Sequence, residues 1–202
     1  MIIIKVEQGS EAWFQERCGR FTASKFSTLM SGLSTKGYKD LITDVAGEVI
    51  TGEVEETYTN DNMKRGTELE PEARQVFMDE TGLNVHEVGF VLNERFEDWV
   101  GVSPDGMIFT DESILEIKCP LRKTHLNYIR ANKLPSEYKW QVQGQLLITG
   151  VKKAYFMSYY PKMKPFIIEV LPDVEMHNQL LERFEVAIND VKEQIKNYNE
   201  YE

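Results

Sequence analysis

Cysteine is scarce in this chain. Cys18 and Cys119 are the only two in 202 residues, far apart and without metal-ligand spacing, which excludes a disulfide framework and a cysteine-built zinc site. Reduced thiols in a cytoplasmic protein are the expectation. Long apolar runs are also missing. The opening Met1–Val6 is apolar but too short for a secretory signal or a membrane span, so it reads as a first strand or an arm, and no membrane role is expected. No internal repeat or low-complexity linker divides the sequence. With 42% hydrophobic content, residues 1–202 are expected to form a single domain around one core.

Basic charge is in deficit overall, with 23 Lys and Arg against 33 Asp and Glu and a net charge of −10. That balance looks wrong for a partner of nucleic acid until it is divided along the chain. Residues 118–164 carry 10 basic side chains and 1 acidic one, with Tyr128, Tyr138, Trp140, Tyr155, Tyr159 and Tyr160 interleaved. Such a block can supply phosphate contacts. It can equally be a solvated helix face with core aromatics.

At the start of that block lies the most telling pattern, Pro104-Asp105, then ten residues, then Glu116-Ile117-Lys118. Residues two apart on a strand share a face, so Glu116 and Lys118 converge while Ile117 packs behind them. Asp105–Phe109 and Ser113–Lys118 flank the polar turn Thr110-Asp111-Glu112, which suits an antiparallel hairpin that brings Asp105 to the same place. Two hard carboxylates, supplemented by a backbone carbonyl such as that of Ile117, suit Mg²⁺. Lys118 adds a compact cation near an attacked phosphate. The chemistry this points to is metal-dependent cutting of phosphodiesters. Pro-Asp is also an ordinary turn dipeptide and Glu-x-Lys an ordinary exposed strand pattern. The apolar Ile114, Leu115 and Ile117 favour a buried strand, where a charge is costly unless it is paired or binds a metal.

Periodicity and punctuation predict helices over Ser10–Gly19 with Ser10 as cap, from a Thr22 cap through Met30, over Tyr38–Ile50, and over Met63–Thr81, where Pro71 is expected to kink the helix or mark its effective start. An acidic loop, Glu53–Asn62, is expected to be a mobile lid, an interface or a solvated stretch. Strands are predicted over Asn84–Leu92, Trp99–Val102, Lys152–Tyr160 and Pro165–Leu171, and helices over Arg122–Asn132, Ser136–Thr149 and Val174–Tyr198. The fold class is α/β, a mixed, antiparallel-rich central β-sheet flanked by helices.

Several side chains are candidates to complete the site. Glu68 and Glu72 share a helix face while Glu70 points elsewhere, and periodicity does not choose among the three. Gln141 and Gln145 are i and i+4 on a helix whose other side carries Val142, Leu146 and Leu147. Arg17 and Arg20, followed by Thr22, Ala23 and Ser24 at a helix start, can hold a phosphate, and Ser103 lies two residues before Asp105.

Gly9-Ser10-Glu11-Ala12-Trp13-Phe14 with Arg17 and Thr22-Ala23-Ser24, Arg65-Gly66-Thr67-Glu68-Leu69-Glu70-Pro71-Glu72-Ala73-Arg74, Ser103-Pro104-Asp105-Gly106, Glu116-Ile117-Lys118-Cys119-Pro120 and Gln141-Val142-Gln143 together resemble the lambda-type phage exonucleases, also called YqaJ-like viral recombinases. The match in order and spacing extends over nearly the whole chain. The resemblance implies a restriction-endonuclease-like PD-(D/E)xK core. It implies that Glu70 is the active-site carboxylate of its helix, that Asp105, Glu116 and the carbonyl of Ile117 hold Mg²⁺ (with Mn²⁺ as a substitute), and that Lys118 and Gln141 position the water. It places Arg17, Ser24 and Ser103 at a terminal 5′-phosphate. It further implies double-stranded DNA ends as substrate, a ring-shaped homotrimer, 5′-to-3′ digestion leaving 3′ overhangs, a single-strand annealing partner, and action in the cytoplasm of a bacterial host. A structure- or site-specific endonuclease on the same core, or a non-catalytic DNA-binding or assembly protein, are the alternatives.

Overall fold

The computed structural model describes residues 1–54, 61–96 and 98–201. Its elements run β1 (Ile2–Ile4), α1 (Glu11–Arg17), β2 (Phe21–Thr22), α2 (Phe26–Leu29), α3 (Lys36–Thr51), α4 (Asp61–Thr81), β3 (Phe90–Leu92), β4 (Val100–Val102), β5 (Gly106–Ile108), β6 (Ser113–Lys118), α5 (Arg122–Ala131), α6 (Lys139–Thr149), β7 (Lys153–Ser158), β8 (Phe166–Val170) and α7 (Val174–Asn199). Short 3-10 turns precede α2 and α6. The mixed α/β class holds. Among the described residues, however, the strands divide between two four-stranded sheets, ordered β1-β3-β4-β2 and β5-β6-β7-β8. A single bridge, His86 to Met107, links the approach to β3 with β5.

The second sheet carries the motif. β5 and β6 form the expected hairpin, with Gly106 opposite Leu115. β6 then runs parallel to β7, Glu116 opposite Phe156 and Lys118 opposite Ser158. A parallel pair needs a crossover, which α5 and α6 supply. Strand alternation sends Leu115 and Ile117 into a cluster with Ala73 and Phe77 of α4, while Ile114 joins Val142 and Leu146 of α6. β6 is therefore covered on both faces, as a parallel strand usually is.

The main core gathers around α7, whose N-terminus is capped by Asp173 through Met176 N at 3.0 Å. Its inner face, Leu180, Phe184, Ala187, Ile188 and Val191, follows the 3.6-residue period. Phe184 packs its ring 5.2 Å from Phe26 and 5.6 Å from Phe96. Burying each such ring contributes about 1.5–3 kcal/mol. Gly144 sets how closely α6 can approach: a Cβ there would fall 2.1 Å from the Phe26 ring, so only glycine lets the two meet.

Other boundaries follow local chemistry. Ser10 caps α1 by accepting from Trp13 N at 3.2 Å. α3 begins earlier than the periodicity indicates, because the Thr35 hydroxyl caps Tyr38 N, and it ends at Gly52 with φ of +70°. Thr22 stands at the N-cap position of the 3-10 turn that leads straight into α2, which ends at Met30. It closes the two-residue strand β2, pairs with Gly101, and makes no side-chain capping bond. Pro71 does not mark the start of α4, which runs unbroken through it. Both halves of that helix are tied to the β6 region, Arg65 by donating to the carbonyls of Cys119 and Pro120 and Ala73 and Phe77 by burial, which offsets the bond the proline lacks. The strand expected from Asn84 is regular only over Phe90–Leu92. Of the acidic Glu53–Asn62 stretch, residues 55–60 lie outside the described residues, and 61–62 belong to α4.

Candidate active site

The hairpin brings the motif's headgroups together. Asp105 Oδ2 accepts a hydrogen bond from Ile117 N at 2.5 Å. Glu116, 1% exposed, lies 2.5 Å through Oε1 from Lys118 Nζ. Its carboxylate also accepts from Gln141 Nε2 at 2.5 Å on Oε1 and from Gln145 Nε2 at 2.6 Å on Oε2. The i, i+4 glutamines of α6 thus both face β6, one turn apart. Lys118 stands 5.1 Å from the Tyr138 ring centre, a cation–π contact that steadies the ammonium from the α6 side.

Charge is crowded here. Burial pushes the Asp105 carboxyl well above its usual range, and Glu116 and Glu70 push it further, against Lys118 and the Ile117 N–H. Glu70 is raised by burial first; Arg74 opposes this and Glu116 adds to it. For Lys118, burial favours loss of the proton, but Glu116 and Asp105 outweigh it and hold the ammonium charged. Cys119 is pushed up to about 12 by burial and then by Glu70 and Asp105, which rules it out as a ready thiolate nucleophile. Asp105, Glu116 and Glu70 crowd around the Lys118 ammonium and the Arg74 guanidinium, an arrangement that a divalent cation would stabilise.

The donor chemistry fits Mg²⁺: hard oxygens on Asp105 and Glu116, with the Ile117 backbone between them. Among the described residues no three His, Cys, Asp or Glu side chains form a self-sufficient metal cage.

A cavity of about 170 Å³ opens over these groups, lined by Asp105, Glu116, Lys118 and Gln141 on one side and by Gln8, Trp13, Arg17, Ala23, Ser24 and Ser103 on the other. Trp13 organises the second wall. Its indole N–H donates to Ser103 Oγ at 2.9 Å and to Gly89 O at 3.2 Å, and the Arg17 guanidinium stacks 4.0 Å over its ring. Arg17 Nη2 reaches Thr22 Oγ1 at 3.4 Å, which in turn lies 3.4 Å from Ser24 Oγ. Burial lowers the Arg17 guanidinium to about 10, with Glu48 opposing, so it stays charged near neutral pH. Gln8 Nε2 donates to Val88 O and Pro104 O at 2.8 and 3.0 Å, pinning the turn before Asp105. A larger cavity of about 320 Å³ between α1, α3 and Trp99 contains none of the acid set and is no rival on chemical grounds.

The sequence candidates therefore divide. Asp105, Glu116, Lys118, Gln141, Arg17, Ser24 and Ser103 share one cavity. Glu70 is off its wall but within electrostatic range of Asp105, Glu116 and Lys118, and it is held by Arg74 at 2.7 Å. Glu72 instead accepts from Tyr159 OH at 2.5 Å, and Glu68 is exposed. Sequence reasoning gave no individual role to Trp13, Gln8 or Arg74. Arg74, 8% exposed, also donates to Glu87 and to the Asp105 carbonyl, so it ties α4 to the hairpin. The basic block divides too. Tyr128, Tyr138 and Phe156 form a ring cluster and Lys152 and Lys153 pair with Glu112 and with Asp111 and Glu169, whereas Arg122, Lys123, Arg130, Lys133 and Lys139 are exposed.

This architecture is that of the restriction-endonuclease-like α/β nucleases. Residues 12–152 match the model of the YqaJ-like viral recombinase domain, and the chain belongs to that family. It is similar to the alkaline exonuclease LHK-Exo of Laribacter hongkongensis, at 29% identity and a TM-score of 0.86 over 94% of this chain and 96% of that one. The LHK-Exo complex with dAMP gives 30% identity and the same TM-score and coverage. A phage-related exonuclease of Haemophilus somnus 129PT shares the fold at 14% identity, with a TM-score of 0.70 over 89% of this chain and 96% of that one. No curated protein matches significantly.

Proposed function

We propose that this protein is a Mg²⁺-dependent DNA exonuclease that digests the 5′-ended strand of a duplex from its end and leaves 3′ single-stranded overhangs for phage or prophage recombination. The observation that carries the reading is the cavity itself, where Asp105, Glu116 and Lys118 face Arg17, Ser24 and Ser103 across a space of about 170 Å³. Asp105, Glu116 and the Ile117 carbonyl would hold the ion. When bound, it acidifies a water and offsets charge on the scissile phosphate. Lys118, kept protonated by its carboxylate neighbours, stabilises the charge that develops as the phosphodiester is attacked. Gln141 orients the Glu116 carboxylate and the nucleophilic water. Glu70 adds negative charge on the α4 side, restrained by Arg74. Arg17, stacked on Trp13, and the hydroxyls of Ser24 and Ser103 form a cationic, donor-rich wall suited to a terminal 5′-phosphate.

The family membership and the likeness to LHK-Exo, which has been captured with dAMP, a deoxynucleoside monophosphate, support this reading. The same proposal includes a ring-shaped homotrimer, a single-strand annealing partner and action in the host cytoplasm. The segregation of charge supports it, because an acidic exterior and a basic block can confine DNA to a channel. Among the described residues no helix is long and apolar enough to cross a membrane.

One digestion tests the reading. Linear duplex labelled at either the 5′ or the 3′ end is incubated with and without Mg²⁺, beside covalently closed circular DNA. Early release of the 5′ label as mononucleotide, only with Mg²⁺ or Mn²⁺, is expected, with the circle left intact. Nicking of the circle would instead establish an endonuclease on this core. No metal-dependent release from any substrate would leave a DNA-binding protein.

A further inference from the structure

Gln145 is fully buried, and the proposed function gives it no part. Its Nε2 donates to Glu116 Oε2 at 2.6 Å, while its Oε1 is buried without a hydrogen-bond partner. A buried amide normally satisfies both ends. This one leaves its acceptor unpaired to aim its donor at a carboxylate. The reversed amide would set oxygen against oxygen, so the charge on Glu116 fixes which way Gln145 points. Gln141, one turn earlier on α6, takes the other oxygen at 2.5 Å. The two amides grip the carboxylate at both ends and leave it little freedom to rotate. Gly144, seated against Phe26, fixes the depth of the helix that delivers them.

Resting on the ion site proposed above, we infer that Gln145 is a positioning residue for it: its amide locks Glu116 in the one orientation in which the carboxylate serves a divalent cation. Gln145 touches neither DNA nor the reacting phosphate. Partners behind a metal ligand commonly change ion affinity or activity by about 10- to 100-fold when removed.

The test is calorimetric titration of Mn²⁺ into the full-length protein without DNA, comparing the parent with Gln145→Met, which keeps the volume, and Gln145→Asn, which keeps the amide but cannot reach. Gln143→Met is the structural control. Gln143 is buried on the same helix but bonds Leu171 O and Asp173 N, away from the site. Both Gln145 variants are expected to lose about 10- to 100-fold in Mn²⁺ affinity and to lower kcat with KM for DNA unchanged, while Gln143→Met lowers Tm alone. Parent-like Mn²⁺ binding by the Gln145 variants overturns the inference. If Gln145→Met does not fold, Gln145→Asn decides it. A parent that binds no Mn²⁺ overturns the ion site itself, an outcome distinct from failure of the clamp.

Discussion

On one wall of the cavity, Glu116 and Lys118 are held by a six-residue parallel ladder with β7 and by the hairpin with β5. On the opposite wall, Arg17 is held by its stack on Trp13 and a contact to Thr22, Ser24 by Thr22, and Ser103 by the Trp13 indole, next to a strand of only two residues. A ladder fixes a side chain through many backbone bonds, so the spacing of charges on the first wall is as rigid as the sheet. The second wall depends on one stacked pair and a few hydroxyls. The proposed chemistry thus sits on the stiff element and the proposed end recognition on the adjustable one, a division that lets each be broken separately.

The largest effect belongs to the stiff wall. Lys118→Ala or Glu116→Ala should reduce cleavage at least about a hundredfold, in a protein whose circular dichroism and oligomeric state match the parent. Digestion at the parent's rate by either variant would remove the motif from catalysis. Gly144→Ala probes the support of that wall, since the new methyl meets the Phe26 ring. It should cost about 1–3 kcal/mol in denaturant unfolding and slow cleavage as α6 withdraws its amides from Glu116. Arg17→Ala strikes the other wall. We expect KM for 5′-phosphorylated ends to rise about tenfold or more while kcat at saturation changes far less. A collapse of kcat instead would show that the two walls do not act separately.

The smallest effect concerns how α4 is docked on the stiff side. Burial, with help from Glu72, raises the Tyr159 hydroxyl from 10.0 to about 12. The folded state therefore holds that proton more tightly than the unfolded chain. Its contribution to stability is complete below pH 10 and is lost as pH rises through about 12. Unfolding measured across that window should decline less steeply for Tyr159→Phe than for the parent.

How much of this was legible in the sequence follows from the range of each interaction. The hairpin from Asp105 to Lys118 was readable because strand alternation and a polar turn are local, and β5 and β6 lie where those signals put them. The long helix from Val174 was readable for the same reason. β2 was not, since Phe21 and Thr22 are extended only because β4, roughly eighty residues on, supplies their partner. The helix glutamates were equally opaque. Glu68, Glu70 and Glu72 differ in what they meet, respectively solvent, Arg74 one turn on along the same helix, and Tyr159, and the last of those partners is set by packing between distant segments.

Alone, the sequence determined the identity and local order of the reactive groups: two acids and a lysine at strand spacing, two amides one helical turn apart, and a basic block after an acidic half. Those are properties of period and covalent order. Only the tertiary structure decided that Gln141 and Gln145 both reach Glu116, that Arg74 also ties α4 to Glu87 and to the Asp105 carbonyl, and that Trp13 meets Ser103. Each of these contacts depends on segments brought together by burial of a shared core, and no local period encodes such a meeting.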